Sequence, residues 1–420
     1  MEFLYNIFMH FYAFCAWVAS FFNKKIKKMV KGHRATFRLI REGIKQGDHV
    51  VWFHAASLGE FEQGRPLMER LREKHPDYKI LLTFFSPSGY EVRKDYKNAD
   101  VVCYLPFDTW GNVRRFLKAA HPDTAIFIKY EFWYFYLTRL RKHGVKTYSV
   151  SSIFREGQFY FKYKFATKML RQFDHMYVQN ETSKRLLAEK DIHCVTVAGD
   201  TRFDRVVDIW KNSADLPLVK AFKDGQKVFV AGSSWMPDED IYLPYFDAHK
   251  DWKLIIAPHE IHEERLTKLM DRLEGRKVVR YTEVEKMYND GKSEDAAQML
   301  KEAEVLIVDC FGKLSSIYRY GEIAAVGGGF GAGIHNVPEA AVYGVPVLFG
   351  PNNRKFREAQ KLKECGGAFE YTDSETFSQV MDRLIGDETF LKSSGEKAGA
   401  FIHDNAGAAD ICYKGIFGEG

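Results

Sequence analysis

The hydrophobic pattern alternates short apolar runs with amphipathic stretches from residue 48 onward. The apolar runs have the length of strands, and the stretches between them have the period of helices. The predicted strands are 49–53, 79–85, 101–104, 124–128, 146–150, 175–178, 194–198, 227–231, 253–257, 277–279, 305–308, 322–326 and 345–349. Regular alternation of this kind predicts an α/β protein with parallel sheets that are wound by helices.

The segment 200–226 interrupts this alternation with turn-forming pairs such as Leu216-Pro217 and Asp224-Gly225, and it contains no clear strand. The chain has 420 residues, which exceeds the ~250–300 residues at which a single core usually divides. We therefore predict two Rossmann-like, doubly wound domains, 24–205 and 206–420. If they face each other, the carboxyl ends of both sheets meet at one cleft, where ligands usually bind.

The N-terminal residues 3–22 are nearly all apolar and reach the ~20 residues that a membrane-spanning helix needs. Glu2 precedes the run and five lysines follow it, so a cleaved signal peptide is disfavoured and the body of the protein is placed on the cytoplasmic side. These features predict a membrane-anchor helix over 1–23, with a monotopic anchor or a soluble hydrophobic helix as the alternative. Lys31, the last of these lysines, and Arg34 belong to this basic flank. They could hold a phosphorylated lipid or simply form a solvated helix face.

Composition excludes several classes of function. The net charge of +5 disfavours a protein-wide nucleic-acid surface. The six cysteines form no C-x-x-C pair, and His259 and His262 have no further ligands nearby in sequence, so no metal site is predicted. Neither a Walker loop nor a serine nucleophile elbow is present. Group transfer without a metal or cofactor is the chemistry that remains.

The turn from His54 to Glu60 follows the first predicted strand and precedes a helix. Its small residues would let a ligand approach the backbone, and its carboxylate would lie at the mouth of the sheet. Alternatively, Ser57 caps the helix and Glu60 completes a capping box three residues later. The spacing alone favours neither interpretation.

Glycine-rich strand ends mark the second half of the chain. The segment from Gly327 to Gly333 is followed by a helix beginning near Asn336–Glu339, an arrangement typical of phosphate sites, although a flexible turn is the alternative. Glu339 could accept hydrogen bonds from ribose hydroxyls. Gly232, Ser233 and Ser234 could contact phosphate or carboxylate oxygens, or else cap the next helix. His259 could pair with an anion or be a surface turn residue.

Several short segments together resemble the 3-deoxy-D-manno-octulosonic acid (Kdo) transferases. The H-A-x-S-x-G-E pattern of that family is matched by His54, Ala55, Ser57, Gly59 and Glu60, and further matches lie at 104–108, 131–133, 178–181, 199–204, 333–340 and 346–351. The chain departs from the family where it has His259 in place of an arginine of a P-R-H-P-E-R segment, with Arg265 downstream. It also has Asp200 and Arg202 in place of Asn and Lys.

The resemblance implies a GT-B glycosyltransferase that moves Kdo with inversion from CMP-Kdo to a phosphorylated lipid A precursor such as lipid IVA. This is a step of lipopolysaccharide inner-core biosynthesis at the inner membrane, with the catalytic domains facing the cytoplasm. Glu60 would be the catalytic base, and Ser57, Gly59, Lys31 and Arg34 would bind the acceptor. The donor would be bound by Gly232, Ser233, Ser234, His259, Gly328, Gly329, His335, Asn336 and Glu339.

Two other classes of function remain open at this point. A sugar-nucleotide epimerase similar to the UDP-N-acetylglucosamine 2-epimerases would share the architecture but would need no lipid acceptor, so the N-terminal apolar run disfavours it. A membrane-bound protein that binds a sugar nucleotide without catalysis would have no use for Glu60.

Overall fold

The structure, a computed structural model, describes residues 2–418 and divides into two compact units. Met1, which falls in the predicted anchor, and Glu419 and Gly420, which fall in the predicted second domain, lie outside the described residues. The first unit runs to Arg205 and also includes the residues from Ala406 onward, and the second runs from Val206 to Asn405. Each unit is a parallel α/β sheet with helices around it, which confirms the predicted parallel α/β architecture of both domains.

The first unit contains a seven-stranded parallel sheet with the order β3-β2-β1-β4-β5-β6-β7. Its strands are β1 Val50–Ala55, β2 Lys79–Phe84, β3 Val101–Tyr104, β4 Thr124–Ile128, β5 Lys146–Ser152, β6 His175–Val178 and β7 Val195–Val197. All six residues of β1 are buried, as an apolar run covered on both faces requires. The chain winds from β1 toward one edge and then returns to β4 on the other side of β1, so β1 and β4 flank the point where a ligand binds in sheets of this type.

Ten helices accompany this sheet or lead away from it. They are α1 Glu2–Ala19, α2 Lys24–Gly43, α3 Leu58–Lys74, α4 Pro87–Arg93, α5 Trp110–Ala120, α6 Tyr134–Lys142, α7 Phe159–Lys162, α8 Lys164–Leu170, α9 Glu181–Ala188 and α10 Thr201–Lys211. The last of them, α10, carries the chain into the second unit.

The second unit has a parallel sheet with the order β10-β11-β9-β8-β12-β13-β14. Its strands are β8 Lys227–Ser234, β9 Trp252–Pro258, β10 Val278–Arg280, β11 Val305–Ile307, β12 Ile323–Val326, β13 Val347–Phe349 and β14 Ala368–Glu370. Strand β14 was not predicted from the sequence, because it is a short edge strand that is only partly buried and lacks an apolar run. Here β8 and β12 flank the point where the winding direction changes.

The helices of the second unit are mostly short. They are α11 Pro217–Lys223, α12 Met236–Ala248, α13 Glu263–Arg272, α14 Tyr281–Asn289, α15 Ser293–Glu302, α16 Leu314–Ile317, α17 Val337–Ala341, α18 Arg357–Cys365, α19 Ser374–Gly386 and α20 Glu388–Asp404, with a 3₁₀ turn at Tyr318–Tyr320. The final helix, α21 Ala408–Phe417, packs against α3. The predicted second domain, 206–420, therefore loses its last helix to the first unit.

The N-terminal helix differs from the predicted membrane anchor over 1–23. It ends at Ala19, and none of the helices within residues 2–418 combines the length and the apolar character that crossing a bilayer requires. One side of α1 is bound to the first unit, where Met9 and Ala16 are buried. The Tyr5 hydroxyl donates to Asp108 Oδ2 at 2.7 Å. The predicted anchor is corrected to a helix packed on the domain along one side.

Asp108 fixes α1 to the sheet domain through a buried carboxylate. Its oxygens also accept hydrogen bonds from the backbone N–H groups of Phe135 and Tyr136 at 3.0 and 3.1 Å. Burial raises the pKa of Asp108 to about 6, although these donors oppose the rise. Opposite the packed side, α1 exposes apolar side chains, namely Phe3, Leu4, Ile7, Phe8, Phe11, Phe14, Trp17 and Val18.

Candidate active site

The turn that carries Glu60 connects the carboxyl end of β1 to α3. Ser57 occupies the N-cap position with extended backbone, but its hydroxyl makes no capping bond to the helix. It donates instead to the carboxylate of Glu60, so the alternative of a full capping box is wrong. Glu60 remains partly exposed in the first turn of α3, where the helix dipole favours a negative charge.

Other polar groups gather at the same edge of the first sheet. Tyr130 follows β4, Arg155 follows β5 and Asp200 follows β7. Burial raises the pKa of the Tyr130 hydroxyl, and Arg155 opposes that rise. The negative charges of the Glu60 and Asp200 carboxylates add to the rise in the pKa of Tyr130. Glu60 thus belongs to a cluster that the ends of several strands assemble.

Asp200 is held as an anion within this cluster. Its Oδ1 atom accepts from Gln63 Nε2 at 2.8 Å, and its Oδ2 atom accepts from Arg202 Nε at 2.9 Å. Burial opposes ionisation, but the charge and hydrogen bonds of Arg202 lower the pKa of Asp200 below its usual value. The two residues that depart from the family pattern therefore pair with each other.

The backbone around the cluster adopts uncommon conformations. Lys129 and Ser151, at the ends of β4 and β5, have positive φ values of 60° and 55°. Hydrogen bonds hold these turns, because Ser152 Oγ donates to the Lys129 carbonyl at 2.6 Å and the hydroxyls of Ser151 and Thr201 lie 2.8 Å apart. Non-glycine residues in this conformation are uncommon and often mark functional sites.

A second carboxylate, Glu131, follows β4 and contacts His54. Trp133 Nε1 donates to Glu131 Oε2 at 3.1 Å and to His54 Nε2 at 3.2 Å. His54 is fully buried, and its Nδ1 atom lies 3.1 Å from the Thr83 carbonyl. Its other ring nitrogen, Nε2, lies 3.4 Å from Glu131 Oε2. This network orients Glu131 at the edge where β1 and β4 meet.

The remaining predicted acceptor residues have separate surroundings. Gly59 is exposed in the first turn of α3. Lys31 and Arg34 are exposed on α2, a helix that packs beside β3 and α5, and no described contact joins them to the turn of Glu60. Their role in acceptor binding therefore stays a prediction.

In the second unit, the glycine loop after β12 is closely packed. Gly328 has a φ of 94°, and an added Cβ atom would lie 2.6 Å from the Gly333 carbonyl oxygen. A Cβ atom on Gly329 would lie 2.5 Å from Gly350 Cα. The backbone of the loop approaches its neighbours so closely that only glycine fits at these positions. The glycines serve close packing in a fixed loop, so the alternative of a flexible turn does not account for them.

The end of β8 lies beside this loop. A bulge interrupts the pairing of β8 with β9 between Gly232 and Ser234, and Ser233 adopts a φ of 50°. Gly232 leaves room for the Tyr318 hydroxyl, which would lie 1.9 Å from an added Cβ atom. The Ser234 hydroxyl is buried and donates to Glu239 Oε1 at 3.1 Å. Of the two serines, Ser233 is the more accessible.

Three aromatic rings are stacked between these loops. The ring of His259 lies 4.6 Å from that of Trp235 and 4.3 Å from that of His335. Trp235 Nε1 donates to His335 Nε2 at 3.0 Å. Burial and the adjacent His259 lower the pKa of His335, so this ring is neutral near pH 7.

Asp238 connects the end of β8 to the glycine loop through hydrogen bonds. Its role was not predicted from the sequence. Its Oδ2 atom accepts from the backbone N–H groups of Gly328 at 3.1 Å and Trp235 at 3.0 Å. A cavity of about 210 Å³ is lined by these three residues, His335 and other residues of the loop. In the sequence, Asp238 resembles any acidic residue in the first turn of a helix. The only feature that could have indicated its role was its position shortly after a strand that ends in Gly232, Ser233 and Ser234.

The last predicted donor residues lie at the short helix α17. Asn336 Nδ2 donates to Glu339 Oε1 at 2.6 Å, and Asn336 stands at the N-cap position without a side-chain capping bond. The helix has only five residues, so its dipole contributes less to anion binding than the sequence suggested. Within residues 2–418, no group of three or more His, Cys, Asp and Glu side chains could hold a metal ion.

Arg265 lies in the interior of the second unit and not at the exposed residues predicted to bind the donor. It is buried and forms an ion pair with Glu239, which is itself inaccessible to solvent and lies 3.5 Å from Arg272 Nη1. Arg265 therefore does not stand in for the arginine that His259 replaces.

Several known proteins resemble this chain in sequence. Residues 31–205 match the model of a family described as 3-deoxy-D-manno-octulosonic-acid transferase (kdotransferase). The chain is 28% identical to the 3-deoxy-D-manno-octulosonic acid transferase of Aquifex aeolicus, with 78% of this chain and 83% of the relative covered. It is 25% identical to the transferase of the same name from Rickettsia felis, with 86% and 77% covered.

Solved structures show the same overall fold at low sequence identity. A putative UDP-N-acetylglucosamine 2-epimerase from Listeria monocytogenes matches with a TM-score of 0.58 at 13% identity, covering 89% of this chain and 98% of its own. The MurG protein of Acinetobacter baumannii matches with a TM-score of 0.53 at 11% identity, covering 88% and 99%. The chain is therefore similar to the 3-deoxy-D-manno-octulosonic acid transferases, whose family model matches residues 31–205 and whose named relatives cover most of its length.

Proposed function

We propose that the protein transfers Kdo from CMP-Kdo to a hydroxyl of a phosphorylated lipid A precursor such as lipid IVA, with inversion at the anomeric carbon. The observation that carries this proposal is the Ser57–Glu60 turn. The turn lies where the winding of the first sheet changes direction, between β1 and β4. It also belongs to residues 31–205, the segment that matches the transferase family. The alternative of an epimerase rests on fold likeness alone, because the epimerase structures match at only 13% identity.

Glu60 acts as the general base in this proposal. Its carboxylate takes the proton of the acceptor hydroxyl while the hydroxyl oxygen bonds to the anomeric carbon of Kdo. The bond from that carbon to the phosphate oxygen breaks, and CMP leaves with the electron pair. Ser57 donates a hydrogen bond to the carboxylate and orients it. Tyr130, Arg155 and Glu131, which stand at the same sheet edge, position the acceptor.

The second unit binds the donor. The backbone of the glycine loop and Ser233 contact the phosphate, and Glu339 accepts from the ribose hydroxyls. The cavity of about 210 Å³ beside Asp238 and the Trp235–His259–His335 stack is large enough for a flat ring, and pyrimidine rings stack on aromatic side chains. We place the cytosine there. His259 carries the anion contact that the missing family arginine would make.

Two glycines of the second unit give a matched pair of substitutions. Gly328→Ala should weaken CMP binding about tenfold or more, since a side chain at its positive φ costs about 1–2 kcal/mol and would meet Gly333 and His335. Gly386→Ala, at the end of α19 and away from the cavity, should bind CMP normally, because nothing lies within 4 Å of a Cβ atom there. Isothermal titration with CMP measures both. Equal affinities in the two variants would contradict phosphate binding by the glycine loop.

The exposed face of α1 lies on the cytoplasmic surface of the inner membrane in this proposal, where a lipid acceptor is accessible. A row of exposed phenylalanines on one helix is uncommon in a soluble surface, and the lysines of α2 that follow would contact anionic headgroups.

Phe11→Glu should reduce binding to vesicles that contain phosphatidylglycerol, because it removes a 62% exposed aromatic ring from that face and adds a negative charge. Phe311→Glu is the matched control, since Phe311 is 78% exposed in the second unit. Vesicle co-sedimentation measures both. Loss of binding in the control alone, or in neither variant, would refute the role of α1.

The reaction itself is tested by incubating the full chain with CMP-Kdo and lipid IVA. The molecular mass of the lipid product is then measured by mass spectrometry. A mass increase of one or more Kdo units supports the proposal. CMP binding without any lipid product would instead favour a binding protein. Interconversion of a UDP-sugar would favour an epimerase.

A further inference from the structure

A groove lies between α5 and α6 in the first unit, separate from the turn of Glu60. Its volume is about 860 Å³. Its walls run from Trp110, at the start of α5, past Leu117 to Pro122, and back along α6 to Val145. Pro122 lies two residues before β4, and Val145 directly precedes β5, so this end of the groove is at the amino edge of the sheet. Glu60, in contrast, follows the carboxyl end of β1.

The lining of the groove is basic. Arg114, Lys118, Arg139 and Lys142 line it, and no aspartate or glutamate does. None of the four forms an ion pair with any residue in the part of the chain that the structure describes. Cations near helix C-termini are common because they interact with the dipole, but Arg114 stands in the first half of α5. Arg114 therefore lies outside the last turn of its helix, and the four cations together give the groove a positive potential that favours an anionic ligand.

The rest of the lining is apolar and continues toward α1. The apolar wall of the groove is formed by Leu117, Pro122 and Val145. Trp110, at the end of the groove nearest α1, is 43% exposed. The backbone N–H of Trp110 donates to Asn6 of α1 at 3.1 Å. The groove thus begins beside the helix whose outer face is apolar. Apolar walls and a basic lining fit an amphiphile with a hydrocarbon chain and an anionic head.

We propose that this groove binds one molecule of an anionic phospholipid, with its phosphate paired to Arg114 and Arg139 and an acyl chain along Leu117 and Val145. This lipid is distinct from the acceptor of the reaction. The inference does not depend on the proposed function, because it rests on the lining of the groove alone.

The test uses the full chain in micelles of an uncharged detergent, with native mass spectrometry as the readout. Phosphatidylglycerol should form a one-to-one adduct, and phosphatidylcholine with the same acyl chains should not. In Arg114→Gln/Arg139→Gln the affinity should fall about 25-fold, since each basic residue contributes about fivefold near an anionic headgroup. Leu117→Glu should also remove the adduct, through repulsion of the lipid and loss of apolar wall.

The matched control is Arg141→Gln/Arg185→Gln. It removes the same charge from α6 and α9, where Arg141 donates to the Arg171 carbonyl and Arg185 pairs with Glu156. The control should bind the phospholipid like the unaltered chain. Equal loss in both double variants would show general charge attraction and overturn the proposal. So would equal competition by glycerol phosphate, which would show a site for small anions, or retention of the adduct in the groove variant.

Discussion

Replacing Glu60 by glutamine should lower the rate of Kdo transfer by about 10²–10⁴, the usual contribution of a general base. Glutamine keeps the size of the side chain and can still accept the hydrogen bond that Ser57 donates, but it cannot take up a proton near pH 7. CMP affinity should be unchanged, because the donor residues belong to the second unit. A mass-spectrometric assay of the lipid product gives the rate, and calorimetry gives the CMP affinity.

Glu73→Gln provides the control for this experiment. Glu73 stands on the same helix α3, near its C-terminal end, and is exposed. Its replacement changes net charge equally and should leave the transfer rate within about twofold, since surface changes away from a site have small effects. If the Glu60 variant retains the activity of this control, the base is another residue, and Glu131 would be the next carboxylate to replace.

Replacing Arg265 by methionine should destabilise the second unit by about 3–5 kcal/mol, the usual cost of leaving one member of a buried ion pair alone. Glu239, with no accessible surface, would keep only Arg272 at 3.5 Å and the hydroxyl of Ser234 as partners. Urea unfolding, followed by tryptophan fluorescence, measures the loss.

The double variant Glu239→Gln/Arg265→Met separates charge burial from packing. Removing both charges should recover most of the stability, because exchanging a whole buried pair for neutral groups is often nearly neutral. If Arg265→Met instead left stability unchanged and weakened CMP binding, Arg265 would be a donor ligand after all, contrary to its buried position.

Most strands were predictable from the sequence because buried parallel strands consist mainly of apolar residues, as in β1 and β9. The position of Glu60 at a strand-to-helix turn followed from the same pattern. β14 escaped prediction because an edge strand is covered on fewer sides and needs no apolar run. In the buried strands, the apolar residues that are buried lie next to one another in the chain, so the sequence reveals these strands.

Side-chain direction at the donor loops was not predictable. Two adjacent hydroxyls end β8, yet the bulge at Ser233 directs that of Ser234 to Glu239 and Tyr242 in the interior. Nothing in the sequence signals a bulge at that position. The same limit applies to α1, whose packed side is determined by Asp108, a residue 103 positions from Tyr5. Contacts over such distances determine which face of an apolar helix is covered.

The return of α21 to the first unit has a practical consequence for separating the two halves of the molecule. The second unit is an insertion, joined to the first by two covalent connections, near residues 205 and 405. A fragment that stops at 405 would lack Cys412 and Tyr413, which are buried beside Met68 and Leu71 of α3, and would expose that apolar surface. The second unit can be excised as one continuous piece, whereas the first remains whole only if its last helix is rejoined to it.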